Sequence, residues 1–351
     1  TNPDNPITGE VWYNDTDNVL KFQHPAVTTT GSWRTGNNLN TARQTGAGSG
    51  LQTAALYFAG KTAPTTRVTN TEQYDGTSWT EVNDMNSARQ QLGGSGTQTS
   101  SLAYGGFVPP DSALTESWNG TNWTEVNDLN DTRRMGGSLG ADNTSALAFG
   151  GYTTAVVAVT ELYNGTNWTE VNDLNTARTM LGASGDATAG IAFGGTQDPP
   201  KTAATELWNG TNWTEVNDLN TARDDLAGSG KGTTTAALAF GGLTPPGAYS
   251  AVTELWNGTN WTEQNDLSTA RNVLSGAGTS TAGLAFGGET PPVSAATEEW
   301  TGAGAPVGAW ATGGSLNLAR TGPGGLGASS SASLAFGGEV PPGQYKNETE
   351  L

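Results

Sequence analysis

The chain has 351 residues with 34% apolar residues and 50 glycines; this glycine share, about twice the usual, excludes a helical bundle and favours short strands joined by many turns. Net charge is −18, from 33 acids against 15 bases with no basic run, which argues against nucleic acid and anionic membrane surfaces as partners. Cysteine is absent, which excludes disulfides, thiolate metal sites and a Cys nucleophile, and no apolar run approaches the ~20 residues needed for membrane insertion as a helix.

Residues 1–30 come first and are expected to form an attachment segment distinct from the rest of the chain. No charged-then-apolar leader is visible there, although an opening at Thr1 without Met leaves a cleaved leader or an upstream segment open. Glu10-Val11-Trp12-Tyr13-Asn14, a polar turn, and Val19-Leu20-Lys21-Phe22 predict a β-hairpin. His24, the single histidine, precedes Pro25 and is expected to be a plain surface residue, since metal sites need several converging ligands.

From residue 31 to 351 the chain is a repeat of roughly 46 residues. A Trp recurs at Trp33, Trp79, Trp123, Trp168, Trp213, Trp261 and Trp310, and an Arg follows each at Arg43, Arg89, Arg133, Arg178, Arg223, Arg271 and Arg320. Between each Arg and the next Trp lie an apolar alternation such as Ala237-Leu238-Ala239-Phe240, a Gly pair such as Gly241-Gly242, and a Thr-Glu such as Thr253-Glu254. Alternation predicts half-buried strands, and Gly-Gly, Asn-Gly and Pro-Pro predict turns, so each unit supplies four short antiparallel strands. Repeated units of this kind make a β-propeller, because a lone twisted sheet must pack against its neighbours to bury both faces.

The innermost strand is assigned to the small-residue stretch after each Arg, as in Leu226-Ala227-Gly228-Ser229-Gly230, since blades crowd at the axis. Ala-Leu-Ala-Phe runs form the second strand, Thr205 to Trp208 exemplifies the third, and Asn212 to Val216 the fourth, with aromatics filling the wider outer gaps. The last unit has its inner strand after Arg320, its second at Ser333 to Phe336 and its third at Thr349-Glu350-Leu351, but lacks a fourth. Gly31-Ser32-Trp33 supplies the missing piece, so a seven-bladed ring over 31–351 is expected, closed by pairing the N-terminal strand with the C-terminal blade.

These marks resemble the kelch repeat, which ends its second strand in Gly-Gly, carries aromatics on its third and fourth strands, and opens the next blade with Arg. The pattern here reads Gly194-Gly195, Trp208, Trp213, Arg223 and departs at Ala59-Gly60 and over Glu298 to Trp310, where an insertion lengthens the turn before Trp310. The wording Gly9-Glu10-Val11-Trp12-Tyr13-Asn14 resembles an element of bacteriophage tail-fibre and other virion proteins, and the near-identical blades, such as Asn164 to Arg178 beside Asn209 to Arg223, resemble marine phage adhesins. Kelch propellers include both binding modules and enzymes, so the fold leaves the activity open.

No catalytic residue, cofactor or metal site is expected. Galactose oxidase, which has a similar fold, needs histidines and a Tyr crosslinked to Cys; sialidases use an asymmetric arginine cluster, whereas the arginines here fill one equivalent slot in every blade. That repetition predicts a structural role, each Arg pairing with a carboxylate such as Glu206 or Glu254. The pairs Glu125 with Asp128, Glu170 with Asp173, Glu215 with Asp218 and Glu263 with Asp266 are expected to form a solvated acidic belt, with weak divalent cation binding as the alternative. The Asn-Gly-Thr and Asn-Trp-Thr triplets at Asn119, Asn122, Asn209 and Asn212 match the N-glycosylation pattern but double as turn and strand residues.

The segments after the Gly pairs differ between blades, and alternating strand direction puts them on one face with the blade-to-blade links. There Phe107, Tyr152, Lys201, Tyr249 and Tyr345 are the candidate binding residues, the aromatics being able to stack on sugar rings or partner side chains. The expected protein is a non-enzymatic virion surface protein of tail-fibre or adhesin type, extracellular, binding a host cell-surface glycan or protein through this face and other virion proteins through residues 1–30. A capsid or fibre decoration protein and a propeller glycan hydrolase or lyase are the alternatives.

Overall fold

The computed structural model describes residues 30–302 in full, apart from residue 64, and the backbone of strands on either side of them. All described elements are strands, and the chain divides into two compact units, Thr30–Gly302 and Thr1–Thr29 with Ala303–Leu351. Thr30–Gly302 is a β-propeller of six antiparallel four-stranded blades. Taken from the axis outward, blade 1 is Ala47–Leu51, Ala54–Phe58, Thr71–Tyr74 and Trp79–Val82; blade 2 is Gly93–Thr97, Ser100–Tyr104, Thr115–Trp118 and Trp123–Val126. Blade 3 is Gly137–Asp142, Ser145–Phe149, Thr160–Tyr163 and Trp168–Val171; blade 4 is Gly182–Gly185, Gly190–Phe193, Thr205–Trp208 and Trp213–Val216. Blade 5 is Ala227–Gly228, Ala237–Phe240, Thr253–Trp256 and Trp261–Glu263, and blade 6 is Ser275–Gly278, Ala282–Phe286, Thr297–Thr301 and, from the start of the ring, Ser32–Gly36.

Position in the blade explains the composition of each strand. Second strands such as Ala237–Phe240 are buried at every residue because both of their faces meet a neighbouring blade. Outer strands bury the Trp and expose the Thr and Glu that follow it. Neighbouring inner strands approach too closely to admit a side chain between them: a Cβ added at Gly228 would lie 2.1 Å from the Ala183 carbonyl oxygen.

Three observations show that the ring closes on six blades. Ser32–Gly36 pairs with Thr297–Thr301, Trp33 opposite Trp300. The Trp33 indole N–H donates to Thr253 Oγ1 at 2.9 Å and its ring lies 5.0 Å from Phe240, just as Trp261 donates to Thr205 at 3.1 Å and lies 4.9 Å from Phe193. At the axis, six backbone amides form a closed circle: Thr45 donates to Val273, Val273 to Asp225, Asp225 to Met180, Met180 to Met135, Met135 to Gln91 and Gln91 to Thr45, all at 2.7–3.1 Å.

The seven blades expected from the repeat count are therefore corrected to six. Trp310 stands on Pro306–Thr312, which pairs not with blade 6 but with Val19–Val27, Gln23 opposite Trp310. In the other blades a tight turn returns the third strand into the fourth: Asn209 Oδ1 accepts the N–H groups of Thr211 and Asn212, and Gly210 sits at φ 89°. The sixth repeat reads Trp300-Thr301-Gly302-Ala303-Gly304 and has no Asx residue to start that turn, so its outer position is taken by the strand from the beginning of the ring. Three strands expected for a seventh blade do form a sheet, Gly324–Ser329, Ala332–Phe336 and Thr349–Glu350, but in the second unit. The N-terminal hairpin is also present, Val11–Asn14 against Val19–Val27.

Candidate functional site

The six arginines of the repeat within the described residues are buried, and each is paired with the glutamate of its own unit's third strand. Arg178 donates to Glu206 Oε1 at 2.8 Å and to the carbonyls of Gly194 and Ala204, while Glu206 Oε2 accepts both the backbone and side-chain N–H of Asn175 at 2.8 Å. Arg43 with Glu72, Arg89 with Glu116, Arg133 with Glu161, Arg223 with Glu254 and Arg271 with Glu298 repeat the pair. Burial holds Arg178 below the usual guanidinium range, opposed by the Glu206 charge. The aspartates of the expected acidic belt are partly structural: Asp128, Asp173, Asp218 and Asp266 each accept the N–H of the Thr that opens their own blade's third strand.

What differs between blades gathers elsewhere. Strand pairing puts the links between blades and the segments after the Gly pairs on one face, where the chain presents concentric rows of six. The innermost row is Thr45, Gln91, Met135, Met180, Asp225 and Val273, all non-glycine residues at φ 45–59°, a conformation that costs roughly 1–2 kcal/mol each. The second row is Gln44, Gln90, Arg134, Thr179, Asp224 and Asn272, bridged respectively to a third row of Lys61, Phe107, Tyr152, Thr196, Leu243 and Glu289. Positions that are uniform in the scaffold thus become chemically distinct at this surface.

The structure brings some of the candidate residues together and separates others. Phe107 is half-buried with the guanidinium carbons of Arg67 and Arg134 4.8 and 4.9 Å from its ring centroid, and Arg134 is also 4.9 Å from the ring of Tyr152. Lys201 is tied to Asp224 of the next blade, and Arg134 to Asp111 of the preceding one, the same link between loop and neighbour with its charges exchanged. Tyr249 pairs with Leu243 in its own loop and is 39% exposed. Tyr345 lies on the short strand Gln344–Tyr345, and its side chain, with those of Arg320 and Trp310, is outside the described residues.

Both ends of the axis carry groups that the repeat pattern does not reveal. At the loop face a mouth of about 110 Å³ is lined by Met135, Met180, Val273 and Asp225. Burial, and secondarily Asp224, push the Asp225 carboxyl up to about 7. Below it lies a cavity of about 170 Å³ lined by glycine, alanine and serine residues together with Leu92, Leu181, Leu226 and Leu274. On the opposite face Lys231 reaches past blade 4 from blade 5 to donate to the carbonyls of Gly140 and Ala141 in blade 3, at 2.6 and 2.9 Å, and burial lowers its ammonium to about 8. Among the described residues no set of three His, Asp or Glu side chains gathers as metal ligands.

Sequence reasoning missed Arg67, Arg134, Asp225 and Lys231. The signal for Arg134 and Asp225 was present as variation at the two positions after an otherwise invariant Arg. Comparison with protein-family models and with curated proteins finds no match for this chain.

Proposed function

We propose that the protein is a non-enzymatic virion surface protein of adhesin type that binds a host-surface glycan or protein through the loop face of its propeller. The observation that carries this reading is the distribution of difference. Blades that share Asn-Gly-Thr-Asn-Trp-Thr-Glu almost letter for letter diverge at the rows around the axis on one face. A role that depends only on the ring would leave those rows as uniform as the rest. Strained backbone at the innermost row and cross-braced loops support a rigid presenting surface rather than a mobile lid. The kelch-like order of marks is consistent with a binding propeller, and the wording of the N-terminal hairpin supports attachment to other virion proteins through residues 1–30.

The test is binding of labelled full-length protein to a glycan array and to candidate host cells, beside immunogold labelling of phage particles from the source culture. The reading expects label at the tail tip, and binding that falls at least ten-fold on changing Tyr249 and Arg134 to Ala but persists on changing Leu51, exposed on the opposite face, to Ser. Label over the capsid with no cell or glycan binding would replace it with a decoration role. Release of sugar from a bound polysaccharide would replace it with glycan cleavage.

A further inference from the structure

Among the described residues twelve carry a positive charge. Six are the buried arginines of the repeat, already neutralised by glutamates. Arg34, Arg134 and Lys201 have carboxylate partners, and Lys231 is spent on carbonyls. Lys61 and Arg67 remain, and among the described residues neither has a carboxylate within ion-pair distance, in a protein whose net charge is −18.

These two cations stand directly opposite each other in the short hairpin of blade 1, Lys61 paired with Arg67. Like charges at opposed strand positions destabilise the pairing, and no carboxylate among the described residues pairs with either. Arg67 is nonetheless held in place: its guanidinium stacks on Phe107, and its Nε is buried without a protein acceptor. The same Phe107 carries Arg134, which continues the stack onto Tyr152, so two guanidinium groups alternate with two aromatic rings across blades 1 to 3. Stacking fixes the plane of a guanidinium and limits its rotamers before any ligand arrives, which lowers the ordering cost of binding.

We infer that the Arg67–Phe107–Arg134–Tyr152 ladder, with Lys61 beside it, is an anion subsite for the carboxylate of an acidic sugar. A planar guanidinium fork matches a planar carboxylate with two parallel hydrogen bonds. The ladder occupies the aromatic faces with guanidinium, so Phe107 and Tyr152 act here as supports for the arginines rather than as stacking platforms for a sugar ring. Asp111 occupies one donor of Arg134 at 2.9 Å, which leaves Arg67 as the principal contact.

This inference rests on reading the loop face as a binding surface, and the test separates the two. Full-length protein is titrated with a uronic-acid hexasaccharide and with the same oligosaccharide after reduction of its carboxyl groups to alcohols. The expected result is at least ten-fold tighter binding of the acidic form, a loss of ten-fold or more on Arg67→Ala, and incomplete recovery in Arg67→Lys, which keeps the charge but not the fork. Because Arg67 lies on a surface loop, the melting temperature of these variants should stay at the parent value. Absence of binding to the uronate, equal affinity for the two sugars, or an unchanged affinity in Arg67→Ala overturns the subsite. Neutral-sugar binding that Tyr249→Ala abolishes and Arg67→Ala does not would overturn it while the face reading stands; glycan or cell binding indifferent to every substitution on the loop face would overturn both.

Discussion

Arg178 exchanges the hydration of its guanidinium for three hydrogen bonds in a site where it is fully buried, and Glu206 completes its own shell with Asn175. Such pairs contribute little over an apolar core of equal volume, but removing one partner leaves the other buried and uncompensated. Arg178→Ala is therefore expected to lower the unfolding free energy by about 3–5 kcal/mol in urea titrations, with ligand affinity of the folded fraction unchanged. A loss near zero, or a selective loss of binding, would contradict the structural role. Asp225 makes a different prediction. Its folded-state carboxyl, raised to about 7 by burial first and Asp224 and Glu289 in lesser measure, with Lys201 acting against them, keeps its proton where the unfolded chain has released it. Its contribution to stability is thus greatest at low pH and lost as pH rises from about 4 to about 7. Asp225→Asn should melt close to the parent at pH 4 and above it at pH 8; a constant difference across that range would show that the carboxyl is not perturbed.

At the scale of the element, inner, second, third and outer strands fall where the repeat places them in five blades, because each is fixed by short-range physics. Small residues sit at the crowded axis, apolar alternation lies between neighbours, and an Asx turn precedes the Trp. Even the incomplete pair Ala59-Gly60 builds a regular blade, with Ala59 at φ 57° where the other blades use glycine. The sixth blade departs from the repeat count because Trp310 keeps nearly the period of the others while its strand pairs elsewhere. Periodicity reports a strand's existence but not its partner, and the partner changes where the Asn-Gly-Thr-Asn turn gives way to Thr301-Gly302-Ala303-Gly304 and an insertion before Trp310. The closing strand was legible in kind, as an N-terminal strand completing the ring, and its fit is tight: a Cβ on Gly31 would lie 1.9 Å from Trp300. The candidate surface was legible in part. Phe107 and Tyr152 stood out as variable-loop aromatics, whereas the significance of Arg67 and Arg134 depends on contacts between blades, which no local pattern encodes.

For the whole molecule, the closed ring means that no blade is an end. Each outer Trp donates to the opening Thr of the preceding blade's third strand, Trp33 to Thr253 and Trp79 to Thr297 included, so the set of six contacts has no gap. A linear repeat array needs capping units to cover its terminal faces; a closed ring covers them with each other. All the residues that make this closure lie within Thr30–Gly302. A chain of residues 30–302 is accordingly expected to fold by itself and to unfold in one transition, within ~3 °C of the ring's transition in the full chain. Removing residues 30–36 as well takes Trp33 away from Phe240 and leaves Thr297–Thr301 as an unpaired edge, which should lower that temperature by more than ~10 °C and promote self-association. Calorimetry with light scattering distinguishes the outcomes. Failure of 30–302 to fold would mean that the ring depends on residues outside this range, whereas equal stability of the two truncated chains would mean that the N-terminal strand does not close it.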